Sequence, residues 1–223
     1  MSESHEIAYR DLRTRVHALV ESLDDSALEV SAPATPRWRA HDVLSHLVGV
    51  PEDVVNGRLE GLASDEWTQA QVDRRRAAST ADLLAEWEEF GPRFEAMLGG
   101  APAEIAGQAL FDAGTHEHDL RNALGITGAR DSEAISVGWD WIIDVRTRAN
   151  APAICFVVEA GEAVSGVGDV VARVEAPRFE LFRAVSGRRT AQEIGRYAWD
   201  REPDASLLLV ADFFSIPEQS IGE

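Results

Sequence analysis

Lysine is absent from this 223-residue chain, so all 21 basic residues are arginine, set against 39 acidic residues for a formal net charge of −18. With its abundant alanine, the missing lysine reflects GC-rich coding and carries no chemistry. The shortage of positive charge does carry some. A surface this negative repels phosphate backbones and anionic headgroups, which argues against nucleic acid and membrane partners. Arg74-Arg75-Arg76 is too short a basic run to change that in so acidic a chain.

Cysteine is nearly absent as well. The single Cys155 excludes an internal disulfide, and it sits in the apolar run Ala153-Ile154-Cys155-Phe156-Val157-Val158. A thiol in such a run reads as a small buried hydrophobe rather than a nucleophile. No apolar stretch approaches bilayer length and no basic-then-apolar signal opens the chain, so a cytoplasmic protein is expected. There is no internal repeat and no low-complexity tract. What is present is ample apolar material, 45% of residues, enough for a buried core and incompatible with wholesale disorder.

The apolar residues are spaced mostly for helices. Ile7, Leu12, Val16, Leu19, Val20 and Leu23 predict an amphipathic helix from about Glu3 to Leu23, broken by the proline-containing stretch Ser31 to Pro36. A second helix should start near Trp38 or Arg39 and run through Val43, Leu44, Leu47 and Val50, with Pro51 kinking or restarting it. Ser79-Thr80-Ala81-Asp82 has the form of a cap with an acidic first turn. It opens a helix through Trp87, Phe94 and Leu98 that Gly99 and Gly100 should end. Further helices are expected from about Pro102 to Leu124, closed by Gly125, and from Asp131 to Arg148, where Trp139 and Trp141 cannot both face one core.

After Asn150 the texture changes. Ala153 to Glu159 and Val170 to Glu175 read as two paired strands separated by a glycine-rich turn, Gly161 to Gly168. Two short helices follow, about Arg178 to Val185 and Thr190 to Trp199, and Leu207 to Val210 fits strand or helix equally. The fold class is therefore α+β, with a helical part over residues 1–150 and a small α/β part over 151–223.

The residues able to carry chemistry are histidines and carboxylates. Asp112 and His116 are four apart on the fourth predicted helix, so both project from one face and could share a divalent ion. His46, from the second helix, would complete three protein ligands and leave a position open, as catalytic zinc sites do. His118 lies about 200° round the helix from His116 and cannot join them. Asp119, one turn on, could instead orient the His116 ring. Spacing alone also allows bland readings, with His46 a satisfied core residue and Asp112 and His116 part of a solvated face. His5, His17 and His41 read as structural or exposed, Trp38 as a plug at the bundle end, and Glu86, Glu88 and Glu89 as a solvated face.

Trp38 followed by Asp42-Val-Leu-Ser-His46-Leu-Val-Gly49 resembles the Trp-x-x-x-Asp-Val-x-x-His-Leu-x-Gly segment of the mycothiol-dependent maleylpyruvate isomerase family. Asp112-x-x-x-His116-x-x-Asp119-Leu120 is similar to that family's Glu-x-x-x-His-x-x-Asp-Leu segment. Leu83-Leu84-Ala-Glu-Trp87 and the stretch Phe179 to Thr190 extend the likeness, in order, over most of the chain. The resemblance implies a DinB-like four-helix bundle followed by a small α/β domain of the sterol-carrier-protein kind. It implies a divalent metal, zinc above all, on His46, Asp112 and His116, with mycothiol as thiol cosubstrate and a small-molecule substrate. It also points to Arg183, Arg188 and Arg189 as catalytic candidates that bind carboxylates of substrate or thiol, although arginines beside a glycine turn are commonly capping or solvated.

One residue departs from the pattern: the ligand that is glutamate in the family is Asp112 here, one methylene shorter. Either the backbone approaches, helped by the weak helix formers Gly114 and Thr115, or the site has lost its metal. Three functions follow: an isomerase in which a metal-activated thiolate adds to a double bond, a thiol S-transferase or detoxifying enzyme on the same scaffold, or a non-catalytic metal- or small-molecule-binding module. A scaffold alone does not choose between them.

Overall fold

A computed structural model describes residues 2–210 and 214–223. The chain forms two compact units, Met1–Ala134 and Ile135–Glu223.

The first unit is helical. Helices α1 (Ser2–Val20), α2 (Ala40–Val55), α4 (Thr80–Gly100) and α5 (Ala103–Leu124) pack on one another, and the short α3 (Asp65–Arg75) lies against α2. Their shared core is built from Leu12, Val16, Leu44, Leu47, Leu83, Trp87 and Leu110, all fully or almost fully buried. The helix starts are set as the sequence implies. Ser79 Oγ accepts from the Asp82 amide at 3.1 Å, and the Asp82 carboxylate accepts from the Ser79 amide at 3.1 Å, a reciprocal cap. Ser79→Ala is expected to cost about 1 kcal/mol, read as a lowered urea midpoint with unchanged slope. Gly125, at φ +67°, ends α5 in the left-handed conformation that spares glycine a Cβ clash.

Three details differ from expectation. Helix α2 passes through Pro51 without interruption, because only the one donor to the Leu47 carbonyl is lost and the flanking turns still pair. Helix α4 includes Gly99 and Gly100 and is capped at Ala101. Helix α3 has no apolar stripe to announce it, since the residues it buries are Gln71, Val72 and Arg75. Its start is nonetheless encoded, with the Ser64 hydroxyl accepting from the Trp67 amide at 3.2 Å ahead of the acidic Asp65 and Glu66.

The loop before α2 is a tight reversal. Ala32 N–H donates to the Trp38 carbonyl at 2.9 Å and Trp38 N–H to the Thr35 carbonyl at 2.7 Å. Asp42 then accepts from the Arg39 amide at 2.9 Å, fixing where α2 begins. Trp38 is thereby held just ahead of α2.

In the second unit, β1 (Pro152–Val158) pairs antiparallel with β2 (Gly161–Ser165) and parallel with β3 (Val167–Glu175). A two-residue β4 (Ala198–Trp199) closes the sheet order β2-β1-β3-β4. The two strands read from sequence do pair, but the stretch read as a turn is itself β2 and the start of β3. Only Gly166 separates those strands as the chain passes the start of β1. At φ +111°, a Cβ there would stand 2.5 Å from the Pro152 carbonyl oxygen, so no other residue fits without rearrangement.

Helices α7 (Arg178–Val185) and α8 (Ala191–Ile194) follow β3. The helix expected to reach Trp199 stops at Ile194, where Trp199 Nε1 donates to the Ile194 carbonyl at 3.0 Å. A 3₁₀ turn occupies Ala205–Leu208.

Helix α6 (Glu133–Arg148) opens this unit, so the compact units divide one helix ahead of the texture change near residue 150. The reason is packing. Trp139 meets Phe156 of β1 edge-on at 5.3 Å, while Trp141 is only half-buried. Arg146, fully buried, donates to the carbonyls of Leu208, Leu209 and Pro152 at 3.0–3.1 Å, and burial pulls its pKa down to about 10. Among the described residues no helix is long and apolar enough to cross a membrane.

Candidate metal centre

His46 is almost fully buried in the middle of α2. Its Nε2 lies 3.2 and 3.4 Å from the two carboxylate oxygens of Asp112 on α5. One turn along α5, His116 places Nε2 3.7 Å from Asp112 Oδ1, and the two imidazoles meet nearly at right angles with centroids 4.7 Å apart. One ligand atom from each of the three residues lies within 4.8 Å of the others, and among the described residues this is the one group arranged to hold a metal ion.

The ring orientations are fixed from behind. His46 Nδ1 is 2.8 Å from Gln71 Oε1, and Gln71 Nε2 donates to Asp53 Oδ2 at 2.9 Å. Because Asp53 can only accept, the amide of Gln71 must point its nitrogen at Asp53 and its oxygen at His46. Nδ1 is therefore the nitrogen that donates to Gln71, and Nε2 is the one turned toward Asp112. Behind His116, Asp119 Oδ2 stands 3.0 Å from Nδ1 at ion-pair distance, with its carboxylate fully buried. Both histidines therefore have Nδ1 facing an oxygen and Nε2 facing the carboxylate between them.

Burial holds the His116 pKa below its ordinary value, which Asp119 and Asp112 only partly oppose. That shift favours the uncharged ring, the form a metal requires. Burial also works against a charge on His46, but the facing Asp112 carboxylate, with Gln71 behind, prevails and raises its pKa. Two nitrogens and a carboxylate oxygen suit zinc and its neighbours among the divalent ions.

Helix α5 is continuous through Gly114 and Thr115, and Asp112 still comes within 3.2 Å of His46. Trp38 covers the site from one side, its ring 5.6 Å from that of His46 and 5.9 Å from that of His116. It thus packs on the two candidate ligands rather than merely closing the bundle. His118 is buried away from the cluster, as helical geometry requires, and His41 reaches the Ala78 carbonyl at 2.9 Å.

Residues that sequence reasoning missed stand directly behind these. Gln71 and the buried Asp53, which is held by Arg58 at 2.7 Å as well as by Arg74, form a second layer reaching from His46 to the surface. The signal that could have found α3 was Ser64-Asp65-Glu66, a cap with an acidic first turn. Burial alone would raise the Asp53 pKa, but the hydrogen bonds from Arg74, Arg58 and Gln71 win and lower it. Its stabilising effect is therefore fully present above about pH 4, the unfolded value, and is lost as pH falls further through the lowered folded value. Asp53→Asn is expected to lower stability at pH 7 by about 1–2 kcal/mol and to flatten the acid limb of a melting-temperature profile.

Beside the metal cluster lies a cavity of about 380 Å³, lined by both His46 and Asp112 and otherwise mainly by apolar side chains of the helical unit.

The predicted arginines all lie in the second unit, engaged by its own groups. Arg183, fully buried, donates to Glu223 Oε2 at 2.8 Å. Arg189 donates to the same oxygen at 2.8 Å and to Glu180 at 2.7 Å. Arg188 donates to the Ser186 carbonyl and stands 6.0 Å from the Phe214 ring centroid.

A helical bundle with a His-carboxylate-His cluster and an adjoining pocket, followed by a small sheet-containing unit, defines the class of protein. The model of the mycothiol maleylpyruvate isomerase N-terminal domain matches residues 9–121, and the chain belongs to that family. A solved structure of a histidine-to-alanine mutant of mycothiol-dependent maleylpyruvate isomerase is similar over 92% of this chain and 96% of its own, with a TM-score of 0.62 at 11% identity, a likeness of fold. No curated protein matches the chain. The kinship expected from the Trp38–Gly49 and Asp112–Leu120 segments is thus confirmed.

Proposed function

We propose that the protein is a metal- and thiol-dependent enzyme in which the sulfur of a small thiol attacks an electrophilic carbon of a second substrate. The observation that carries this reading is the shared arrangement of His46 and His116, each with Nδ1 against an oxygen and Nε2 turned to Asp112. Such a set is prepared for a cation rather than for core packing. His46, Asp112 and His116 would hold the ion, with zinc the metal proposed. Bound there, a divalent ion lowers the pKa of a coordinated thiol and so supplies thiolate at neutral pH.

The chain's own residues do the rest. Gln71 and Asp119 keep the imidazoles from rotating, Trp38 excludes water from one side, and the cavity receives a substrate next to Asp112. Among the described residues no cysteine or serine lines the cavity, and Cys155 is buried in β1 beside Glu162 and Arg173. A borrowed thiol fits that gap, and mycothiol is the thiol the family points to. Arg183, Arg188 and Arg189 are proposed to bind an anionic part of the thiol or substrate. For Arg183 and Arg189 this requires that Glu223 give way. The sterol-carrier-protein-like character of the second unit belongs to the same proposal.

The test is conversion of an activated alkene by zinc-loaded protein, followed with and without a small thiol. A rate that needs metal and thiol together, and is abolished by a chelator and restored by zinc, supports the reading. A rate indifferent to both would leave a binding module in its place.

A further inference from the structure

Away from His46 and Asp112 the wall of the cavity carries two polar side chains with hydrogen-bonding capacity to spare. Gln108 on α5 and Thr68 on α3 both line it, and both are half-buried. Neither side chain has a hydrogen-bond partner among the described residues. A third polar group, the indole N–H of Trp67, is already given to the Arg58 carbonyl at 2.9 Å. The positions of the two are related. Gln108 stands four residues before Asp112 and so lies one turn, about 6 Å, along the same face of α5. Thr68 stands three residues before Gln71, the residue behind His46, and so lies about 4.5 Å along α3. Two helices thus each bring a polar side chain to one cavity, about one turn from the metal layer. The remaining wall, Val50, Leu98, Ile105 and Ala109 among others, grips a ligand without fixing which end faces the metal.

We infer that Gln108 and Thr68 form the substrate's second anchor, a neutral hydrogen-bonding pair that holds a carbonyl oxygen about one helical turn from the metal layer. The inference rests on the thiol-dependent reading above and says how its acceptor substrate is oriented. The amide of Gln108 offers two N–H donors and the Thr68 hydroxyl one, and a carbonyl oxygen has two lone pairs to accept them. In an α,β-unsaturated carbonyl compound that oxygen is three bonds from the β-carbon, a separation of the same order as the step from Asp112 to Gln108. When sulfur adds, a C–S bond forms at the β-carbon, the carbon–carbon π pair shifts toward the carbonyl, and negative charge gathers on its oxygen. The charge leaves again when the thiol departs or a proton reaches the α-carbon. Hydrogen bonds to the oxygen are strongest while the charge is there, so the pair that orients the substrate also assists the addition.

The experiment reads the carbonyl directly. Benzylacetone, a saturated ketone that does not add thiols at carbon–carbon bonds, is compared with butylbenzene, in which a methylene replaces the carbonyl. Binding of each to the zinc-loaded full chain is measured by calorimetry without thiol. The ketone-to-hydrocarbon affinity ratio is expected to fall about three- to tenfold in Gln108→Leu and about two- to fivefold in Thr68→Val. The affinity for butylbenzene itself should hold or rise, which separates a lost hydrogen bond from a damaged fold. Gln108→Glu, which keeps the shape but loses the amide donors, should lower the ratio at least as far as Gln108→Leu. The infrared stretch of the bound carbonyl should move to higher frequency in all three variants. An unchanged ratio in either Gln108→Leu or Thr68→Val, or a carbonyl frequency that no variant moves, overturns the inference. The two proposals fail separately. A ratio that depends on Gln108 and Thr68 without thiol-dependent turnover removes the thiol-dependent reading and leaves the carbonyl anchor, whereas thiol-dependent turnover with an unchanged ratio does the reverse.

Discussion

Replacing His46 by alanine is expected to weaken zinc binding by roughly a hundred- to a thousandfold and to abolish thiol-dependent turnover while leaving the helical content unchanged. The magnitude follows from sharing the roughly 10–16 kcal/mol of a four-ligand zinc site among its ligands, which assigns about 2.5–4 kcal/mol to each. His46 is the one ligand supplied by α2, so its loss leaves Asp112 and His116, two groups on a single helix, which cannot surround an ion. Asp112→Ala should have an effect of similar size, because it removes the oxygen toward which both Nε2 atoms turn. Competition with a chromophoric chelator measures both. The variants should also separate in the metal-free state. His46→Ala leaves the Gln71 carbonyl oxygen without its imidazole partner, whereas Asp112→Ala leaves that hydrogen bond intact.

Gly49→Ala is expected to damage the site from behind. A Cβ at position 49 would stand 2.6 Å from Gln71 Cβ and 2.9 Å from Arg75 Nη1. The guanidinium can swing aside, but a Cβ moves only with its backbone, so α3 must retreat by about 1 Å to restore an ordinary carbon–carbon contact. Overpacking of this kind costs about 1–3 kcal/mol. Gln71 would withdraw with the helix and loosen its hold on His46, for a loss of about 10–100-fold in metal affinity. Gln71→Leu provides the control: it should lose metal affinity over the same range without the steric strain. If Gly49→Ala lowers stability yet leaves zinc affinity untouched, the second layer does not orient His46 in the way described.

These two results bear on what the sequence could and could not disclose. The bundle helices were legible because their buried residues are apolar and recur at helical spacing, as Leu12, Val16 and Val20 do on α1. Helix α3 was not, because it turns polar groups inward. The same property that makes Gln71 useful to His46 erases the apolar stripe by which a helix is recognised. Asp112 and His116 could be paired from their spacing alone, whereas His46, sixty-six residues away, could be offered as a third ligand but equally read as a core residue until the family motif singled it out. The strands of the second unit were visible as β-branched runs, but their parallel pairing was not. It depends on the single-residue passage at Gly166, which reads in sequence as one more glycine in a loop. Likewise, nothing near Arg183 and Arg189 in the chain reveals that Glu223, thirty-four or more residues on, supplies their carboxylate.

The most direct measurement is X-ray absorption at the zinc edge of the metal-loaded protein. The account predicts two imidazole nitrogens at about 2.0–2.1 Å and a carboxylate oxygen at about 2.0–2.2 Å, with the imidazole scattering halved in His46→Ala. Addition of the thiol should bring in one sulfur near about 2.3 Å. A shell of oxygens alone, unchanged by His46→Ala, would contradict the assignment of His46, Asp112 and His116 as the metal centre.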